Sequence, residues 1–313
     1  MIPIKNKDLD RLANEHYDLL CNKFNFSISK RLNKSLKHYN SKRKDIYKQY
    51  IILLKYLKDN LENIIIGKPD KLEFYKEKLF ELSKDFEFTK KEKTIKQKEI
   101  LKDLNTIFNY ETFSSNGFTK SKTKKDNKDY FYSGNILVKK LNISVCPYCN
   151  RNTIYSIDNG KKRTSELDHF YPQSKYPFLA LSFYNLIPSC KVCNKIKFDN
   201  DDKEYINPYD DRFDMNKNMK FSLKITSSNF YYLENSFEID YKYNKQISDN
   251  EKNRIENNLD DFKLKDLYQN HKDIILELIQ KVNIHFWHYL FIILFHLVKF
   301  VIKLNLIMMI DLI

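Results

Sequence analysis

Residues 146–199 read CPYCNRNTIYSIDNGKKRTSELDHFYPQSKYPFLALSFYNLIPSCKVCNKIKFD, and the rest of the chain is organised around them. Two Cys-x-x-Cys pairs, Cys146/Cys149 and Cys190/Cys193, bracket an Asp168-His169 pair. Asn185 stands sixteen residues after His169, and Asn194 directly follows the last cysteine. A Cys-x-x-Cys turn, bending back here at Pro147-Tyr148, presents two thiolates to one tetrahedral ion. A second pair completes a closed set of four, the pattern of a structural zinc ion. Two unrelated pairs of buried thiols are the competing reading, and the doubled spacing argues against it. The forty residues between the pairs are more than a compact zinc ribbon needs, so something is folded between them.

Inside that insert, Asn152–Ile157 and Arg163–Phe170 are short strand candidates, and Asp158-Asn159-Gly160 is a turn signal that joins them as a hairpin. A short helix is expected near Lys191–Phe198. Asp168 is a hard oxygen donor suited to Mg²⁺ or a similar divalent ion. His169 beside it can accept a proton near neutral pH. Asn194, one residue past a zinc thiolate, can give an amide oxygen to the same metal. An Asp-His pair met alone is ordinarily structural or merely exposed; its place inside the staple, with Asn185 and Asn194 at fixed offsets, reverses that judgement. Glu166 lies two residues before Asp168 on the same strand face, where it either assists or is a solvated strand residue.

Asp168-His169, Asn185 and Cys190-Lys-Val-Cys193-Asn194-x-x-Lys197 resemble the HNH (ββα-metal) endonuclease family in its zinc-knuckle form. The resemblance covers Cys146–Asp199, and its wider frame is similar to HNH nucleases of bacterial anti-phage systems of the Septu type, in which the nuclease accompanies an ATPase. The resemblance implies that His169 is the general base that activates water. It implies that Asp168 and Asn194 bind a catalytic Mg²⁺ or Mn²⁺. Asn185 would orient His169 or brace the loop, and Lys197 would contact a phosphate. It further implies products with a 5′-phosphate and a 3′-hydroxyl. The chain has Asn194 where many members have His; an amide oxygen suits Mg²⁺ better than imidazole does.

Outside this stretch the sequence is mostly helical in pattern. Ile46–Ile66 is apolar at helical spacing and is closed by Gly67 and Pro69. Asp70-x-x-Glu73 has the form of a capping box for a second helix through Leu72, Tyr75, Leu79 and Leu82, and a third is expected over 91–109. Residues 114–134 are polar; their Lys122, Lys124 and Lys125 either clamp a phosphate backbone or belong to a solvated loop. Ile206–Tyr209 reads as a turn. Two alternating segments follow, through Phe221, Leu223 and Ile225 and through Phe237, Ile239, Tyr241 and Tyr243. Helix resumes after Ser248-x-x-Glu251 and runs through Ile279. From His285 the chain is nearly all apolar, and four readings compete for it: a buried helix, a partner-binding helix, a membrane anchor, or the product of a frameshift.

The expected class is therefore α+β: a mostly helical chain around a zinc-stapled ββα-metal (HNH) core, with a small antiparallel β ribbon after it. The expected segments are a helical N-terminal region (1–140), the nuclease core (141–212), the ribbon (213–245) and a C-terminal helical region with the apolar tail (246–313). The net charge of +14 over 313 residues suits a polyanionic partner, nucleic acid first and an anionic membrane surface second. DNA is expected ahead of RNA as the partner. The first twenty residues carry charge from Lys5 and no apolar core of a signal peptide. The expectation is a reducing cytoplasm, where paired cysteines hold metal rather than disulfides. The leading function is a metal-dependent endonuclease of prokaryotic defence with an ATPase partner and no membrane; the alternative is a catalytically inactive, zinc-stabilised module that binds nucleic acid or protein.

Overall fold

The structure is a computed structural model and describes residues 3–24, 27–42, 44–120, 130–197, 199, 202–283, 293–294 and 297. Lys122, Lys124 and Lys125 lie outside the described residues, as does the apolar tail from 285 apart from 293–294 and 297. No helix among the described residues is long and apolar enough to cross a membrane. The chain divides into two compact units, Met1–Met215 with Ile247–Phe262, and Asn216–Gln246 with Lys263–Ile313. The expected segments 1–140 and 141–212 both fall in the first of them.

In the first unit, helices α1 (Leu9–Asp18), α2 (Ile28–Asn40), α3 (Asp45–Asp59), α4 (Leu61–Ile66), α5 (Pro69–Ser83) and α6 (Ile95–Ile107) precede the functional stretch. In α3 the residues Tyr47, Tyr50, Leu53, Leu54 and Leu57 are buried, the three-and-four spacing that puts one helix face in a core. The helix expected over Ile46–Ile66 is two: Asn60, at φ −113°, ends α3 and begins α4. Asp70 does not cap α5. Pro69 occupies the first turn and Lys68 is the N-cap, because proline's fixed φ favours the first helical position. Asp70 instead sits in the first turn, where a carboxylate complements the helix dipole. The third expected helix is α6, closed at its start by a reciprocal cap between Thr94 and Gln97.

Short elements then lead to the site. They are α7 (Tyr110–Ser114), the antiparallel pair β1 (Phe118–Lys120) and β2 (Tyr130–Tyr132), and α8 (Gly134–Leu141). Next come a small hairpin of β3 (Ser156–Ile157) and β4 (Lys162–Arg163), then β5 (Glu166–His169), β6 (Leu186–Ser189) and α9 (Lys191–Lys197). The turn between β3 and β4 has Asp158, Asn159 and Gly160 all at positive φ, which explains the residue types found there. Sequence patterning led us to expect the strand carrying His169 to pair across this turn. It pairs instead with β6, placing Asp168 opposite Ile187 and His169 opposite Leu186.

His16 of α1 sits in the core of this unit. Leu181 O lies 2.8 Å from its Nε2 and can only accept, so Nε2 carries the hydrogen and Nδ1 accepts from Tyr132 OH at 2.8 Å. α10 (Met215–Asn218) precedes the ribbon, and α11 (Asp249–Asp261) opens with the expected Ser248/Glu251 capping box.

In the second unit, β7 (Met219–Ile225) and β8 (Phe237–Tyr243) pair in continuous antiparallel register from Met219↔Tyr243 to Ile225↔Phe237. The Gln269 amide of α12 (Leu264–Gln269) extends this ladder. Its Oε1 accepts from Ile239 N at 3.1 Å and its Nε2 donates to Ile239 O at 2.7 Å. The helix expected to run from 248 to 279 breaks at Lys263, whose φ of 53° is left-handed. Residues 272–283 are helical again.

Candidate active site

The site is built from two crossings of the chain and one helix start. β5 delivers Asp168 and His169; β6 runs back beside it and ends at Cys190; α9 begins at Lys191 and carries Cys193, Asn194 and Lys197. All four cysteines of the two pairs are buried, and their Sγ atoms lie within 4.8 Å of one another. Cys149 Sγ and Cys190 Sγ are 4.0 Å apart, close to the edge of about 3.8 Å that a tetrahedron of 2.3 Å zinc–sulfur bonds requires. Amide donors face the sulfurs: Arg151 N to Cys149 at 3.4 Å, Cys193 N to Cys190 at 3.5 Å, and Asn152 Nδ2 to Cys190 at 3.2 Å. The first pair reverses direction at Asn150, whose φ of 50° completes the turn. A buried, thiol-only, tetrahedrally spaced set fits a structural zinc ion and offers no open position for substrate.

Asp168, His169 and Asn194 line one cleft of about 550 Å³. Asp168 is buried; its Oδ2 accepts from Tyr148 OH at 2.6 Å and lies 3.2 Å from Lys197 Nζ. Burial raises its pKa above the usual carboxylate value, opposed by Lys197 and by the Tyr148 hydroxyl. His169 Nε2 lies 3.0 Å from Ala180 O. A carbonyl can only accept, so Nε2 carries the hydrogen and Nδ1 keeps the lone pair. Burial draws the imidazole pKa down to about 4, so the ring is neutral at physiological pH. Asn194 Nδ2 donates to Glu166 Oε2 at 2.5 Å, which leaves Oδ1 as the end of the amide able to face a cation.

Residues 146–199 match the HNH endonuclease family. A 65-residue stretch is also 37% identical to Septu protein PtuB of Bacillus thuringiensis, covering 20% of this chain and 23% of that protein. The likeness thus spans less than a quarter of the relative's length. No solved structure matches the chain.

Within the HNH domain the remaining residues singled out from sequence lie behind the cleft. Asn185 is fully buried and does not reach the His169 ring. Its Oδ1 accepts from Tyr171 N at 2.7 Å, and its Nδ2 donates to Tyr171 O at 3.2 Å and Leu179 O at 3.0 Å. One amide therefore pins both ends of segment 171–179, which leads directly into Ala180, the partner of His169. Lys197 is also buried, with its Nζ donating to His169 O at 2.6 Å and paired to Asp168. It faces β5 from inside rather than meeting a phosphate at the surface. Glu166 is the partner of Asn194 and not a solvated strand residue.

The structure adds groups that sequence patterning did not single out. The Tyr110 ring packs edge-on against His169, with centroids 4.3 Å apart, and its hydroxyl donates to Leu167 O at 2.8 Å. Tyr110 is held there because Asn109 caps α7, accepting from Thr112 N at 3.0 Å. Asp199 lines the same cleft and is exposed. Arg163 ties the HNH domain to the preceding helices, donating to Ser114 Oγ at 2.8 Å and Asn135 Oδ1 at 2.9 Å. Gly134 makes room for it: a Cβ there would lie 2.6 Å from Arg163 Nη1. Tyrosine is too common in this chain, at 22 residues, for Tyr110 or Tyr148 to stand out by type.

Proposed function

We propose that this protein is a metal-dependent endonuclease that hydrolyses nucleic-acid phosphodiesters, DNA ahead of RNA, in a prokaryotic anti-phage system. The observation that carries this reading is the orientation of His169. Its Nε2–H is held by Ala180 O, so the basic Nδ1 belongs to a cleft that also holds Asp168 and Asn194. The likeness to Septu protein PtuB supports the defence setting, and with it an ATPase as companion.

Asp168 and Asn194 Oδ1 would hold Mg²⁺ or Mn²⁺, two protein oxygens being a common complement for Mg²⁺ that keeps several waters. When bound, that ion supplies charge neutralisation at the scissile phosphate and at the departing 3′-oxygen. His169 Nδ1 takes the proton of the attacking water, giving a 5′-phosphate and a 3′-hydroxyl. Lys197 and Tyr148 keep the buried Asp168 ionised and aimed. Glu166 turns the Asn194 amide, and Asn185 positions the backbone that orients His169. The four cysteines hold β6 and α9 in register through a structural zinc ion and touch no substrate.

The test is nicking of supercoiled plasmid with Mg²⁺ or Mn²⁺ by the full chain and by His169→Ala. Loss of a general base is expected to lower the rate by about 10²–10⁴-fold. Equal cleavage by both proteins removes His169 from the chemistry. Cleavage by neither leaves the zinc-stabilised binding module as the reading. The pH profile provides a second check. Activity needs the neutral ring, and its pKa is drawn down to about 4. The rate should hold as pH falls through 6.5, the midpoint of an unperturbed imidazole, and decline only at more acid pH. A half-loss at 6.5 would contradict the half-buried, Ala180-bound ring described here.

A further inference from the structure

The cleft that holds Asp168, His169 and Asn194 continues into a second one of about 400 Å³, and the two share Leu101, Asn105, Tyr110 and Gln173. Beyond the shared residues the second cleft is lined by Lys98 and Lys102 of α6. These lysines lie one turn apart on the helix, are exposed, and form no ion pair among the described residues.

The acids of the same helix do not neutralise them. Asp103 is turned toward α2 and α3, where Ser35 Oγ and Tyr50 OH donate to its carboxylate at 2.9 and 2.8 Å. Glu99 likewise accepts from Tyr47 OH at 2.7 Å and pairs with Lys42. α6 is therefore two-faced: its carboxylates are engaged by side chains of α2, α3 and the turn between them, and the ammoniums of Lys98 and Lys102 are left on the groove that leads to His169. Glu111 is the carboxylate on that groove, against the two lysines.

We propose that Lys98 and Lys102 form a phosphate track that guides one strand of the nucleic acid into the His169 cleft. Four residues of helix separate their stems by about 6 Å. That spacing lets the two ammoniums meet neighbouring phosphates of one strand, whose charges follow one another at every nucleotide. Asn105 and Gln173, shared by both clefts, supply neutral donors of the kind that contact phosphate and sugar between the lysines and the reacting bond. The lysine contacts are sequence-independent, since an ammonium on a phosphate reads no base edge. This inference rests on the nuclease reading above.

The experiment measures binding of a short fluorescein-labelled DNA duplex, and of its single strand, to full-length His169→Ala protein by anisotropy over a range of salt concentrations. Lys98→Gln/Lys102→Gln is introduced in the same background. Each lost phosphate contact lowers the slope of log affinity against log salt by about 0.9 on duplex and about 0.7 on single strand. The double variant should therefore lose about 1.8 or about 1.4. Lys55→Gln/Lys58→Gln removes the same charge from the exposed surface of α3, lines neither cleft, and should leave the slope unchanged. Equal slopes for the two double variants overturn the track, and plasmid cleavage by the wild-type chain, run in parallel, then leaves the nuclease reading standing. If the parent binds no nucleic acid and the wild type cleaves none, the nuclease reading falls and the track falls with it.

Discussion

Cys190→Ala is expected to abolish the fold of the HNH domain, with loss of bound zinc and of the near-ultraviolet signal of its buried aromatic rings. Cys190 is the hinge between β6 and α9, and its sulfur is the acceptor for both Asn152 Nδ2 and Cys193 N. Binding of structural zinc contributes about 10–16 kcal/mol in small zinc domains at neutral pH, as large as the whole stability of an ordinary domain at about 5–15 kcal/mol. Three remaining thiols cannot close the tetrahedron, and the strand that faces Asp168 and His169 loses its anchor. Metal analysis and circular dichroism of the purified variant are the measurements, and a chelator should reproduce the effect in the wild type. A variant with unchanged spectrum and melting temperature, or a wild type without zinc, would sink the idea that these cysteines hold the site together by metal.

Lys197→Met is expected to cost about 3–5 kcal/mol, because removing one member of a buried ion pair strands the other. Lys197 and Asp168 are each about 4% exposed, and the ammonium also satisfies His169 O. Methionine keeps the stem's volume and removes only the charge and its donors. The pH dependence fixes the cause. Asp168 already has a raised pKa from burial, and without Lys197 it rises further. A carboxyl whose folded pKa lies above its unfolded value favours the native state at low pH and loses that contribution as pH rises through the folded pKa. The variant's deficit should thus be greatest near neutrality and shrink on acidification, as read from denaturant midpoints. A deficit independent of pH would point to packing instead of the stranded carboxylate.

What the sequence disclosed was chemistry held in short spacings. Two thiols three residues apart, an Asp beside a His, and an Asn after a Cys are local facts of the chain, and the first of these emerges as one buried cluster. The Ser248/Glu251 cap was legible for the same reason, whereas Asp70/Glu73 has the same spacing but lost to Pro69, whose ring sets the helix start. Long-range decisions were not legible. Asn60 is only a weak stop signal inside a longer apolar-periodic run, and nothing local marks Lys263 as a helix break. β6 is only four residues long and contains Pro188, so its pairing with β5 gave no alternating signal. The resemblance gives Lys197 a phosphate contact, and no local signal marks its burial, which depends on Asp168, 29 residues away.

The covering of His169 by Tyr110 limits how far this HNH domain can be moved between proteins. Residues 146–199 transplanted alone would leave behind the ring against His169, the hydroxyl on Leu167 O, and the Ser114 and Asn135 side chains that anchor Arg163. The smallest portable cassette of the HNH domain therefore begins at Asn109, the residue that caps the helix bearing Tyr110.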